Sequence, residues 1–226
     1  YKKNNKKDLT KDENALRINI KKNINLIQKR KSEIKISKLA KEATFIPYMI
    51  KVNYKKLENL DYKSFDYVIY CHSFTDGQLW HGYSGFENML DWLEFTLDNL
   101  IKTNKKILIK PHPNFYNHSL NAEAIWDKKI YDIVLDRYKK YKNLTFIKTP
   151  IHNYLLLKKL NKNCILLSGF GTVILESAYM NFKSICTSHN FFNEKFKISN
   201  MWKDKKNYLN LLKFSYRKLK RPSKID

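Results

Sequence analysis

From residue 66 onward the sequence alternates short apolar runs with longer segments of helical periodicity. The apolar runs lie at residues 67–71, 106–110, 144–147, 164–167 and 184–187. Residues 67–71 and 164–167 are apolar throughout, and strands of that kind are buried on both faces of a parallel sheet covered by helices. The sequence therefore predicts an α/β fold with a doubly wound, Rossmann-like parallel sheet of about five strands.

Helical patterns fill the intervals between these runs. In the first interval, apolar residues recur on one helical face from Phe86 to Ile101. We expect this helix to begin with a capping box, in which the Ser84 side chain accepts the Glu87 backbone N–H. Further helices are predicted over residues 121–140, 151–160 and 171–180.

Positive charge is concentrated at the two ends of the chain, whose formal net charge is +23. Residues 1–42 hold 14 Lys or Arg against 5 Asp or Glu, and residues 195–226 hold 11 against 2. We accordingly predict a basic N-terminal segment (1–60), the remnant of a preceding domain, then a Rossmann-like domain (61–190) and a basic C-terminal helical segment (191–226).

Two explanations fit the basic ends. They can contact an anionic membrane surface, or they can reflect the Asn-, Lys-, Ile- and Tyr-rich composition of a low-GC genome, which we favour. Nucleic acid is not an expected partner, because no RNP, KH, zinc-finger or basic-zipper pattern is present. An alternative function of a different class is a basic module that binds nucleic acid or anionic lipid through its charge.

The cysteines and the hydropathy pattern indicate a cytoplasmic protein. Cys71, Cys164 and Cys186 each lie in or beside an apolar run and show no CxxC spacing, so buried thiols are expected and a metal site is not. No run of 18 or more apolar residues occurs, so no membrane-spanning helix is expected. The predicted location is the cytoplasm, with peripheral contact at the cytoplasmic face of the membrane as an extension.

Ligands of an open parallel sheet bind beyond the carboxyl ends of the strands, and three predicted strand ends are polar. They comprise residues 72–77, 110–113 and 168–172. In the last of these, Gly169 and Gly171 allow the backbone to approach a ligand, and a helix starting there favours a phosphate. Glu176, one turn further, is a candidate for binding ribose or sugar hydroxyls. The alternative is an ordinary tight turn followed by a solvated carboxylate.

The other two strand ends supply candidate catalytic groups. Lys110 and His112 can both donate hydrogen bonds to phosphate oxygens, and the prolines on either side of His112 fix its direction. A protonated His112 would also neutralise a leaving phosphate. After the first strand, His72 or Asp76 can act as a general base. The alternative for Asp76 is a simple Asp-Gly turn.

At these positions the chain resembles bacterial capsule polysaccharide biosynthesis proteins, which are similar to GT-B glycosyltransferases. The resemblance covers residues 66–190 and rests on the segments 72–76, 91–93, 110–113 and 168–176. The His-Pro pair is also similar to that of bacterial sialyl- and Kdo-transferases and of CDP-glycerol glycerophosphotransferases. The acidic Asp/Glu-Asp/Glu-Gly motif of the sialyltransferases lies far upstream of their His-Pro pair, and this chain has no equivalent.

The resemblance implies a fold and a function. Residues 61–190 would be the nucleotide-donor-binding domain of a GT-B enzyme, and this chain would be its donor-binding half. His112, Ser168 and Thr172 would contact the phosphate and sugar of a CMP- or CDP-linked donor. The implied reaction is glycosyl transfer to a polysaccharide or glycolipid acceptor in capsule or lipopolysaccharide synthesis, with transfer of a CDP-linked polyol phosphate as the alternative. No cofactor beyond the donor substrate is implied.

Overall fold

The computed structural model of the chain describes residues 21–22, 24–25, 55–75, 85–116, 122–188, 197–214 and 216–222. Six strands in these ranges form one sheet: β1 (Tyr67–Tyr70), β2 (Ile107–Lys110), β3 (Leu144–Phe146), β4 (Ile165–Ser168), β5 (Ser184–Thr187) and β6 (Asn200–Trp202). All are parallel, in the order β3-β2-β1-β4-β5-β6. The predicted doubly wound, Rossmann-like sheet is confirmed, with one strand more than expected.

Helices connect the strands and cover both faces of the sheet. They are α1 (Met89–Leu100), α2 (Ala122–Tyr138), α3 (Asn153–Lys159), α4 (Val173–Tyr179) and α5 (Lys205–Lys213). Within the described part of the chain, no helix is long and apolar enough to cross a membrane.

Side chains alternate between the two faces of each central strand and enter two separate cores. Ile69 of β1 lies in the larger core, with Leu93 of α1 and Tyr131 of α2. Val68, its neighbour, lies in the smaller core with Leu156 of α3. A strand buried on both faces in this way requires a continuous apolar run, which is why the sequence pattern located the central strands.

The edge of the sheet beyond residue 190 is held by aromatic packing. Trp202 of β6 stacks on Trp92 of α1, with ring centres 6.0 Å apart. Tyr208 of α5 packs on Trp202, and its hydroxyl lies 2.7 Å from that of Thr96. These contacts join β6 and α5 to the same core as the strands before them.

Helix α1 begins later than the capping pattern predicts. Its N-cap is Asn88, whose side-chain oxygen accepts the Asp91 backbone N–H at 2.9 Å. Asp91 reaches back and accepts the Glu87 backbone N–H at 3.0 Å. The predicted helix start is therefore wrong, and Ser84 lies outside the described residues.

Candidate functional site

The strand order reverses at the centre of the sheet. Strand β1 has β2 on one side and β4 on the other, and the chain reaches these neighbours by crossovers in opposite directions. Ligands of open α/β sheets bind at such a switch point, above the carboxyl ends of the strands. The three polar strand ends picked out in the sequence follow β1, β2 and β4, so they are adjacent here.

Strand register arranges their side chains in two layers. The last positions of the three strands pair directly, Lys110 with Tyr70 and Tyr70 with Ser168. Two residues further along each chain, the His72 ring lies 5.7 Å from that of His112. On its other side, the His72 ring lies 6.0 Å from that of Phe170. His72 therefore occupies the centre of the upper layer, and both predicted histidines face the switch point together.

His112 is half-buried and neutral at physiological pH. Burial, followed by the nearby charges of His72 and Lys110, lowers its pKa to about 3. Its Nδ1 accepts the backbone N–H of Asn114 at 3.3 Å. The neutral ring consequently carries its hydrogen on Nε2, which makes that atom a hydrogen-bond donor. Without a ligand, His112 is therefore not the protonated group that the sequence interpretation envisaged.

Lys110 places positive charge beneath the histidines. Its side chain is buried, and its Nζ lies 5.7 Å from the centre of the Tyr70 ring. The charge opposes protonation of His112 and favours the thiolate of Cys71, although burial still raises the pKa of that thiol. A cation in a weakly hydrated position of this kind attracts an anion more strongly than one on the open surface.

The turn after β4 brings backbone to His72. Gly171 has φ +103°, and a Cβ there would lie 3.8 Å from His72 Cδ2. Ser168 stabilises the turn, because its buried hydroxyl donates a hydrogen bond to the Phe170 carbonyl at 2.7 Å. Gly169 packs directly against the Met89 side chain. Of these residues, Gly171 is thus the one that borders the histidine pair.

The last two predicted residues lie on helix α4. Thr172 is the N-cap, but its side chain makes no capping hydrogen bond. Glu176 is buried, not solvated, and accepts a short hydrogen bond from Asn153 Nδ2 of α3. Its charge contributes to raising the pKa of Tyr70, after the larger effect of burial. Glu176 is therefore a positioned carboxylate on the side of the sheet that Tyr70 faces.

Sequence reasoning missed Asp127 of α2, which holds the loop after β1. This carboxylate is 2% exposed. It accepts hydrogen bonds from the Ser73 hydroxyl (2.5 Å), the Phe74 N–H (2.8 Å) and both the N–H and hydroxyl of Thr75 (3.0 and 3.1 Å). The signal was available, because Asp127 occupies the apolar face of the predicted helix, in spacing with Ala124 and Tyr131. Asp76 lies outside the described residues.

The described residues contain no group of three or more His, Cys, Asp or Glu side chains that could hold a metal ion. The side chains of Cys71, Cys164 and Cys186 are all buried. Comparison of the chain with protein-family models, curated proteins and solved structures gave no match. The assignment of a reaction therefore depends on the geometry of the strand ends and on the sequence motifs.

Proposed function

We propose that this chain binds a nucleotide-activated sugar at the carboxyl edge of its sheet and acts as a glycosyltransferase in surface polysaccharide synthesis. The observation that carries the proposal is the convergence of His72, His112 and Lys110 beside the Gly171 turn, where the strand order reverses. Two hydrogen-bonding rings and a buried cation suit a phosphate group. The CMP- or CDP-linked class of donor follows from the resemblance of the His-Pro and Ser-Gly segments.

The proposed reaction forms one bond and breaks one. An acceptor hydroxyl oxygen bonds to the anomeric carbon of the donor sugar, and the bond from that carbon to the phosphate oxygen breaks. The phosphate leaves with the electron pair, and the acceptor proton passes to a base. His112 donates through Nε2–H to a phosphate oxygen, and Lys110 stabilises the negative charge that develops there.

The remaining groups receive supporting roles. We assign the base to His72 or Asp76, the two groups after β1 whose chemistry suits it. Glu176, fixed by Asn153, would accept hydrogen bonds from hydroxyls of the donor. Asp127 would keep the loop at residues 73–75 in place while the ligand enters.

Thermal stability measured with CMP, CDP, UDP and GDP, with cytidine as the control that lacks phosphate, tests the proposal. A ligand at 100 times its Kd stabilises the folded state by about 2.7 kcal/mol. We expect a rise in melting temperature with the cytidine nucleotides and none with cytidine. No shift with any nucleotide would contradict the donor site.

Product mass then separates glycosyl transfer from its closest alternative. With a CDP-linked donor, a glycosyltransferase adds the mass of a sugar to the acceptor, whereas a polyol phosphotransferase adds a polyol phosphate. A basic binding module would form neither product, and its binding would weaken steeply with salt.

A further inference from the structure

A cavity lies at the amino edge of the sheet, opposite the candidate site. Its volume is about 560 Å³, and it is enclosed by the C-terminal ends of α1 and α5 and by the first residues of β1 and β4. Volumes of this size are typical of small-molecule sites. The length of β1, about 10 Å or more, separates this amino-edge cavity from the histidine pair.

The buried part of the cavity lining is apolar. It consists of Tyr67, Leu100, Ile165 and Leu212. The Tyr67 hydroxyl donates to the Leu212 carbonyl at 3.2 Å, which joins β1 to α5 beside the cavity. Where the lining meets solvent, Phe214 is 39% exposed. A ligand with an apolar face can therefore cover both buried apolar groups and an aromatic ring.

The part of the lining nearer to solvent contains uncharged polar side chains. They are Asn99, Thr103, Asn104 and Asn163. Amide and hydroxyl groups both donate and accept hydrogen bonds, as the hydroxyls of a sugar do. The C–H groups on the face of a sugar ring also suit the electron-rich face of an aromatic side chain such as Phe214. A sugar ring thus matches both parts of the lining.

The charges at the amino-edge cavity disfavour an anion. Helices α1 and α5 both end here, and the C-terminal end of a helix carries a partial negative charge. Lys105 lines the cavity but pairs with Asp66 at 2.9 Å. Lys213, the second lysine of the lining, lies in the last turn of α5, where its charge compensates the helix dipole. A neutral ligand rich in hydroxyls fits this balance better than a phosphate or a carboxylate.

We propose that the amino-edge cavity binds a neutral saccharide, with one face of a sugar ring on Phe214 and its hydroxyls on the surrounding amides. The inference goes beyond the proposed function, because the cavity would hold sugar residues at the edge of the sheet remote from the transfer reaction. It does not depend on that function, since saccharide binding is measured without any donor.

Saturation-transfer NMR tests the site with neutral hexasaccharides of glucose, galactose, mannose and N-acetylglucosamine. Phe214→Ser and Asn163→Ala are compared with the wild type and with two controls, Ile133→Ser and Asn210→Ala. Ile133 and Asn210 are exposed and do not line the cavity. All four substitutions replace exposed side chains and should change the melting temperature little.

We expect the wild type and both controls to bind at least one of the hexasaccharides. Phe214→Ser should raise the Kd at least about tenfold, because the ring that covers one face of the sugar is lost. Asn163→Ala should raise it about threefold to tenfold through the loss of a neutral hydrogen bond.

Competition separates this cavity from the candidate site. CDP should leave the saccharide signal unchanged, because CDP is directed to the opposite edge of the sheet. The proposal is overturned if no neutral hexasaccharide binds, if both cavity variants bind as tightly as the wild type, or if CDP displaces the saccharide. Displacement by oligothymidylate or by a polyglutamate peptide would show that the cavity attracts polyanions, which would also overturn it. Failure of CDP to bind at all would contradict only the proposed donor site.

Discussion

Replacing Asp127 should lower the free energy of unfolding, and the hydrogen bonds that are lost determine by how much. Of the three residues that donate to it, Thr75 is exposed and its donors can turn to water, whereas Ser73 and Phe74 are buried. Each buried donor that loses its acceptor costs about 1–3 kcal/mol. Asp127→Ala loses the acceptor of both and should therefore lower the free energy of unfolding by about 2–6 kcal/mol. Asp127→Asn keeps the shape and one acceptor oxygen, and should cost about 1 kcal/mol.

Urea unfolding of the variants, with Asp136→Ala as the matched control, measures this effect. Asp136 lies on the same helix, its side chain is 69% exposed, and it pairs with Lys139 at the surface. Such surface pairs contribute little to stability, so the control should unfold like the wild type. If Asp127→Ala is as stable as Asp136→Ala, the Asp127 carboxylate does not hold the loop after β1.

Three other features of the structure predict measurable effects. The pKa of His112 is about 3 in the folded protein and 6.5 in the unfolded chain. Between these pH values His112 is therefore protonated in the unfolded chain and neutral in the folded protein. The free energy of unfolding should then rise from pH 3 to pH 6.5, and His112→Asn should flatten that rise in a urea series. Gly171 has φ +103°, so Gly171→Ala should cost about 1–3 kcal/mol in thermal unfolding, and an unchanged melting temperature would argue against that turn. Burial raises the pKa of the Cys71 and Cys164 thiols, so a thiol reagent should modify them only after unfolding; rapid modification of the native protein would contradict their burial.

The central strands were predictable because their physical requirement is local. A strand between two helical layers needs apolar side chains along its buried length. All four residues of β1 meet this requirement, as do the first three of β2 and of β4, which end at Lys110 and Ser168. Strand β6 was not predictable by the same rule. It is three residues long and begins with a polar Asn200, and its place depends on pairing with β5 and on the aromatic contacts of Trp202.

The start of α1 was mispredicted for a tertiary reason. Gly85 lies against the backbone at the beginning of α5, where a Cβ would approach the Lys205 nitrogen to 2.6 Å. This contact, between segments far apart in the sequence, keeps the chain before Asn88 out of the helix. The capping pattern at Ser84 reflects only the local preference of the sequence and contains no information about this tertiary contact.

For the candidate site, too, some features could be predicted from local sequence and others depend on tertiary contacts. The rule that ligands bind at strand ends located His72, Lys110, His112 and Gly171 in advance, because it needs only the order of strands and polar residues. The state of His112 required the structure. Its neutral ring results from burial, His72 and Lys110 together, and no single segment of the sequence shows that combination.

The central claim is that His112 recognises a donor phosphate. The most direct test is to measure the nucleotide affinity of the His112→Asn variant. Asparagine can still accept the Asn114 backbone N–H through its side-chain oxygen, so the turn and the melting temperature should be preserved. Loss of a hydrogen bond to a charged phosphate costs about 1.5–3 kcal/mol, which corresponds to roughly 10- to 150-fold in Kd. Calorimetric titration with CDP should show this loss. An unchanged Kd for CDP, or an equal loss accompanied by a large drop in melting temperature, would contradict the assignment of His112 to the phosphate.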